Sequence, residues 1–489
     1  RKSVIFATII IVLVFLPLLS LSGVAGKLFG PLGIAYITSI VASLFVALTV
    51  TPALSYLMLG NTSIKSEESP IIFYIKKYYE KILRTIEGKS SAVIVMSFLL
   101  ISIGLAFLPF FKTQFIPPLH EGHYIMHMTA YPGTSERESI RIGNLVTHKI
   151  LKINGVKSIA QWVGRSPMGA DTFGTHYSEF EIELDQLDGP SQDRVLSEIN
   201  AIVHGNEDKN LLGGFVGVNF AINTFLTERI EETISGYNAS VVINAYGDDL
   251  DLLDQDAQKI AQVLQKINGS KDITVQSPPG TPQVKIRLRQ EKIAQLGIMN
   301  KDVLNAIRAA YEGITATYIY EGINKKPVVV TFEKNYRDDI TNIKKLPVRS
   351  AYNKIYTLSD IADIYQENGR SKILHQNGKR VQTITANISN RDISNFNFEL
   401  KEKLNALNLS KNNFYELTGS AEENAKSREE LITHSFLAGA AVLLILIIAF
   451  GSLPNIVITI LNLPFALIGG VVAATIYGGW LSIGSLVGF

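Results

Sequence analysis

No cysteine occurs among these 489 residues, which excludes disulfide scaffolds, thiolate metal sites and cysteine nucleophiles together. Charge is sparse too. Asp, Glu, Lys and Arg make up 18% of the chain against 47% hydrophobic residues, which lies on the apolar side for a soluble protein. The net charge of +2 comes without the concentrated basic face that nucleic-acid binding needs, so no nucleic-acid partner is expected. A GxxxxGK[ST] phosphate loop is missing, as is any Ser/His/Asp arrangement in a recognisable context. The chain is therefore not read as an enzyme, and no cofactor is expected.

What is present is a set of uncharged apolar runs near both ends. A bilayer core needs roughly 20 apolar residues of helix, and residues 3–23, 32–58, 92–111, 431–450 and 456–477 qualify. A sixth run starts near Leu481 and stops with the chain. Starting at Arg1 without Met and ending inside that run, the chain is read as a piece of a longer protein. A signal peptide does not fit the first run, which is too long and is followed by a second.

Positive residues set the orientation. Arg1 and Lys2 hold one end of the first run in the cytoplasm. The linker after the second run carries Lys65, Lys76, Lys77, Lys81, Arg84 and Lys89 on the same side. Within it, Ile71, Ile72, Tyr74, Ile75, Tyr78, Tyr79, Ile82 and Leu83 recur with helical spacing, as on a helix lying at the membrane surface; a plain soluble connector is the other reading. Residues 112–430 then lie outside, and a region of that size without cysteine suits a bacterial periplasm.

That external region repeats itself. Ala130-Tyr131-Pro132-Gly133, a helical pattern and Lys152-Ile153-Asn154-Gly155 are echoed by Ala245-Tyr246-Gly247, a helical pattern and Lys266-Ile267-Asn268-Gly269. Strands are expected at 123–130, 156–163, 241–246 and 273–276, with helices at 135–153 and 250–267. A weaker third copy has strands at 381–387 and 414–417 around a helix at 395–407. Such units point to ferredoxin-like α+β subdomains. Residues 295–375, with a helix at 301–311 and a strand pair at 316–321 and 327–332, look inserted into the second.

Three acidic or histidine-bearing stretches stand out. Glu228, Glu231 and Glu232 share a face if their stretch is helical, and the bland alternative is a solvated acidic turn neutralised by Arg229. His176 precedes a strand on which Glu179, Glu181 and Glu183 share one face; there the alternative is an exposed strand surface. His120, Glu121, His123 and His127 crowd a third segment, but His123 and His127 stand about 13 Å apart along a strand, so this segment ranks below the other two. His434 is read as packed near the membrane interface.

Several of these segments resemble resistance–nodulation–division (RND) pumps. Arg1 to Thr8, Leu16-Pro17, Leu28-Phe29-Gly30-Pro31-Leu32-Gly33 and Thr51-Pro52-Ala53-Leu54 are similar to the family's fifth and sixth helices. Phe115-Ile116-Pro117-Pro118-Leu119, Glu121-Gly122 and Tyr131-Pro132-Gly133-Thr134-Ser135 resemble the start of its second porter half. Phe225-Leu226-Thr227-Glu228-Arg229-Ile230-Glu231-Glu232, with Ser235-Gly236-Tyr237, is close to the cobalt–zinc–cadmium type of the heavy-metal branch. Leu463-Pro464-Phe465-Ala466-Leu467-Ile468-Gly469-Gly470 resembles the ninth helix.

The resemblance implies a polytopic α-helical membrane protein with a large periplasmic α+β region of ferredoxin-like porter subdomains and a docking insertion. Membrane helices would occupy 1–60, 92–112 and 426–489, and an amphipathic linker 61–91. The first porter subdomain would span 113–238, the second 239–294 with 376–425, and the docking part 295–375. It further implies a homotrimeric proton antiporter of the bacterial inner membrane, in contact with lipid, a periplasmic adaptor and an outer-membrane channel. The family's proton-relay acids lie outside this stretch, and an isolated piece is expected to fold poorly. Its substrate would be a divalent metal ion held in the cleft by Glu228, Glu231, Glu232, His176 and Glu179. Carboxylates with imidazole suit zinc, cobalt or nickel better than monovalent copper, for which related pumps use methionine, and this chain has only 6. Export of organic compounds, or a periplasmic sensor of similar topology, remain the alternatives.

Overall fold

The structure is a computed structural model that describes residues 2–59, 70–107, 111–113, 119–164, 173–205, 214–337, 339–370, 372–389, 391–476 and 479–488. The first part of the linker and the segment Phe115 to Pro118 fall outside those residues. Among the described residues, the helical stretches Gly23–Met58, Ser420–Phe450 and Leu453–Ile476 are long and apolar enough to cross a membrane, and Val4–Leu19 and Ile94–Gly104 are shorter apolar helices. Phe45, Phe436 and Ile448 point away from the protein with more than half of their surface uncovered. A helix apolar on all sides and unburied has lipid as its solvent.

Two of these helices differ from the sequence expectation. The second begins at Gly23 rather than Leu32 and carries Pro31 inside it, because a long apolar helix tolerates an interior proline when neighbours satisfy the freed carbonyl. The last run is two helices, Leu453–Leu461 and Leu463–Ile476. Pro464 has no N–H to continue the ladder, but it is at home in the first turn of a new helix. The linker forms the helix Pro70–Ile86. Ile71, Ile75, Tyr78 and Ile82 lie on one side and Lys77, Lys81 and Arg84 on the other, all exposed.

Between the membrane helices stand two α+β units of the same topology. In the first, the chain runs through strand His123–Ala130, helix Glu136–Ile150, strands Val156–Val163 and Tyr177–Leu184, helix Gly189–His204 and strand Val218–Thr224. The four strands are antiparallel, and Tyr177–Leu184 and His123–Ala130 form the centre of the sheet. Tyr124, Met126, Met128, Phe180 and Ile182 face Val146, Ile150, Val195 and Ile199 of the two helices to make its core. Ser135 and Asp188 cap those helices through the amides of Glu138 and Ser191, filling donors that a helix start leaves open.

The second unit repeats the order with Val241–Tyr246, Leu250–Gln265, Ser270–Val275, Lys379–Ile388, Ile393–Asn405 and Phe414–Thr418. The strands expected at 241–246 and 381–387 pair directly, Val241 opposite Ala386 and Tyr246 opposite Val381. The intervening excursion begins earlier than Gln295. Thr281–Leu288 pairs with Ala362–Gly369 away from the second sheet, and beyond it Ile293, Val303, Ile343, Val348, Leu358 and Ile361 build a separate core.

The second unit passes into the membrane helix Ser420–Phe450 through Gly419, whose φ is +97° and where a Cβ would lie 2.7 Å from the carbonyl oxygen of Ser240. An L side chain is strained at that angle and has no room against backbone. Gly419→Ala should lower the unfolding stability of the intact protein by about 1–3 kcal/mol, read as a fall in Tm; an unchanged Tm would show that the junction yields freely.

Candidate functional site

The helix Phe225–Ser235 follows the first sheet and covers the face that its core helices leave open. Thr224 caps it through the amide of Thr227, and Gly236 ends it in the left-handed conformation. Ile230 and Ile234 pack on Leu18, Leu21, Ala25 and Leu431 of the membrane helices. The opposite side turns Glu228 and Glu231 inward, at 0% and 6% exposure. The acidic stretch is thus helical, and two of its three carboxylates are buried rather than solvated. Glu232 alone behaves as the bland reading expects, half-exposed and paired with Arg229 at 2.7 Å.

Burying a carboxylate requires partners. Glu228 Oε2 accepts from Nε2 of His127 at 2.9 Å and from Asn238 Nδ2 at 3.1 Å. Its Oε1 makes no hydrogen bond, with the Arg229 guanidinium 3.5 Å away. The other nitrogen of His127 bonds the hydroxyl of Tyr177, whose ring stacks on Phe173 at 3.9 Å. Glu231 is held by neutral donors, Asn223 at 3.1 Å, Ser240 at 3.2 Å and Ser420 at 3.3 Å. Burial pushes its carboxyl up to about 7, and the nearby Glu228 adds to the rise.

Beside these groups a cleft of about 210 Å³ opens between the two units. His127, His176, Tyr177, Glu232, Asp272 and Lys372 are among its walls, and no methionine lines it among the described residues. His176 lies in the turn before strand Tyr177–Leu184; burial, and then the charge of Lys372, hold its imidazole below the usual histidine range. Glu179 sits opposite His127 across the sheet. Burial raises its carboxyl, the facing His127 opposes that rise, and Glu228 adds to it.

Of the five carboxylates and imidazoles singled out in the sequence, His176 and Glu232 are among the cleft walls, while Glu228 and Glu231 are buried behind them, and the five do not meet at one point. Among the described residues, no three His, Asp or Glu side chains are placed to hold one metal ion. The third segment disperses: His120 bonds Asp193 at 3.0 Å, His123 stacks on Phe225, and Glu121 accepts from the amide of Leu226. Of this segment, His127 reaches the cleft and bonds Glu228, a placement its sequence position did not indicate. The missed signal is in the strand itself, where Ile125, between His123 and His127, shows that the second face is covered as well. His434 bonds the carbonyl of Glu430 one turn back on its own helix.

The profile of the AcrB/AcrD/AcrF family matches residues 1–489. The chain belongs to that family. The cobalt-zinc-cadmium resistance protein CzcA of Cupriavidus metallidurans is 26% identical over 100% of this chain and 46% of its own length. The nickel and cobalt resistance protein CnrA of the same species is 24% identical over 100% and 45%. The cation efflux system protein CusA of Escherichia coli K12 is 22% identical over 98% and 46%. The chain spans about half the length of these curated relatives. A crystal structure of a heavy metal efflux pump superposes on the whole chain and 49% of its own with a TM-score of 0.81 at 22% identity, a likeness of fold. Within this AcrB/AcrD/AcrF-family chain, the helix that carries Glu228 and Glu231 touches both α+β units and the membrane helices, so it can link a change in the cleft to the membrane part.

Proposed function

We propose that this chain forms part of a proton-driven exporter of divalent heavy-metal cations, zinc, cobalt, cadmium or nickel, in the bacterial inner membrane. The two α+β units are then ferredoxin-like porter subdomains standing in the periplasm, and the 281–369 excursion is the docking part. The working assembly is a homotrimer joined to a periplasmic adaptor and an outer-membrane channel, and its proton-relay acids belong to the rest of the protein.

The observation that carries the reading is the buried His127–Glu228 pair beside a cleft walled by imidazole and carboxylate. Neutral imidazole and carboxylate are the donors that borderline divalent ions prefer, whereas copper(I) favours thioether sulfur. The orphaned Oε1 of Glu228 is an acceptor that a cation could satisfy. Glu232 would have to leave Arg229 to join it, and that mobility suits a cargo site, which must release its ion.

The test is resistance in cells carrying the full-length protein. Glu228→Gln with Glu232→Gln keeps the shapes and removes both charges. Zinc or cobalt tolerance should drop to that of cells without the pump while the amount of protein in the membrane stays constant. Full tolerance in the double variant would place the cargo elsewhere.

Phe173, Tyr177 and Tyr237 also line the cleft, which favours export of an organic cation as the second reading. Dye tolerance conferred by the wild type, without metal tolerance, would select it.

A further inference from the structure

Lys372 lies where the chain returns from the excursion into the second unit. It is a cleft residue, and its Nζ stands 4.7 Å from the centre of the Phe173 ring, which belongs to the first unit. Among the described residues, no carboxylate is within ion-pair distance of it. Its backbone is anchored, since the carbonyl accepts from the hydroxyl of Ser277. An ammonium drawn out of water and given only a ring face as partner is attracted to that ring by about 0.5–2 kcal/mol. Burial holds the lysine below its ordinary range.

The contact does not stop at the ring. Phe173 stacks on Tyr177, Tyr177 bonds His127, and His127 bonds Glu228. A continuous line of contacts thus runs from the second unit, across the cleft, to the buried carboxylate of the proposed cargo site. Asp272 and Glu232 share the cleft but have other partners: Asp272 accepts from Asn387, and Glu232 pairs with Arg229.

We infer that Lys372 is a tethered cation of the cleft, closing it over Phe173 while no cargo is bound and leaving when a divalent cation arrives. The inference rests on the metal-export reading and adds to it the residue that sets the cost of loading. Two like charges in a partly desolvated cleft repel strongly, so metal and Lys372 compete for the same space. Displacing the ammonium frees Phe173 and opens this cation–ring bridge between the units, which makes loading and cleft opening one event. The same competition weakens affinity, as an exporter requires if it is to release its ion.

The experiment is a titration of purified full-length protein with cobalt(II), with binding followed calorimetrically. Lys372→Met keeps the stem and removes the charge, and it should bind cobalt about tenfold more tightly than the wild type. Lys372→Arg keeps both charge and ring contact and should bind like the wild type. A merely structural lysine would show equal or weaker binding in the Met variant, and that result overturns the inference while leaving metal export intact. Tightening in the Arg variant as well would trace the effect to side-chain shape, and it too overturns the inference. A wild-type protein that binds no cobalt or zinc overturns the export reading, and this inference with it.

Discussion

Replacing Glu231 with Gln should stabilise the intact protein at pH 8 by up to about 3 kcal/mol and leave it unchanged near pH 4. Burial lifts this carboxyl from its ordinary 4.5 to about 7. A raised carboxyl binds its proton more tightly in the folded state than in the unfolded chain. Below pH 4.5 both states are protonated and folding carries no penalty. Between 4.5 and 7 the folded state must take up a proton that the unfolded chain has lost, and above 7 it holds a desolvated charge at full cost. Asn223, Ser240 and Ser420 soften that cost but bring no positive charge to cancel it. Glutamine keeps the shape and never ionises. Tm measured for both proteins from pH 4 to pH 8 should therefore diverge as pH rises. Parallel curves would mean that Glu231 stays neutral or meets water that this geometry does not suggest.

The second large effect belongs to His127. Removing one partner of a buried, hydrogen-bonded pair strands the other, at a cost of about 3–5 kcal/mol. His127→Leu should destabilise the first unit by that much, because Glu228 keeps only Asn238 and the flank of Arg229. His127→Leu with Glu228→Leu removes both polar partners together, fills the space with apolar volume and should recover most of the loss. Hydrogen exchange along strand 123–130 and Tm of the intact protein provide the two readouts. If the double variant is as unstable as the single one, packing around Ile125 rather than the polar pair is what holds helix Phe225–Ser235 in place. Since the double variant also lacks the proposed ligands, it should be stable and yet give no metal tolerance.

The membrane helices, the strand–helix repeats and the interrupted second unit were legible in the sequence, because each depends on short-range periodicity. A run of some 20 uncharged residues, an alternation of two and a spacing of 3.6 are local properties, set by backbone geometry and by the solvent each face meets. The strands His123–Ala130 and Val241–Tyr246 have the bounds expected from the sequence. The acidic stretch was equally visible as a composition, Glu228-Arg229-Ile230-Glu231-Glu232, but its environment was not. Its spacing puts Glu228 and Glu232 on one face whether that face is wet or dry.

Tertiary structure decided the environment. Which carboxylate is buried follows from helix Phe225–Ser235 lying across the first sheet with Ile230 and Ile234 on the membrane helices, a contact between residues roughly 200 positions apart in sequence. The pairing of His127 with Glu228, the meeting of Glu231 with Ser420 and the approach of Lys372 to Phe173 are of the same kind. Each joins groups whose distance in sequence says nothing about their distance in space, and each polar contact is strong only because packing has removed the water around it. The sequence by itself determined which segments are apolar helices suited to a membrane and which build the two repeated units, since transfer to an apolar solvent or to one sheet face acts residue by residue. The identity of the buried polar partners was left to the fold, because electrostatic strength depends on local dielectric, and dielectric is a property of the packed whole.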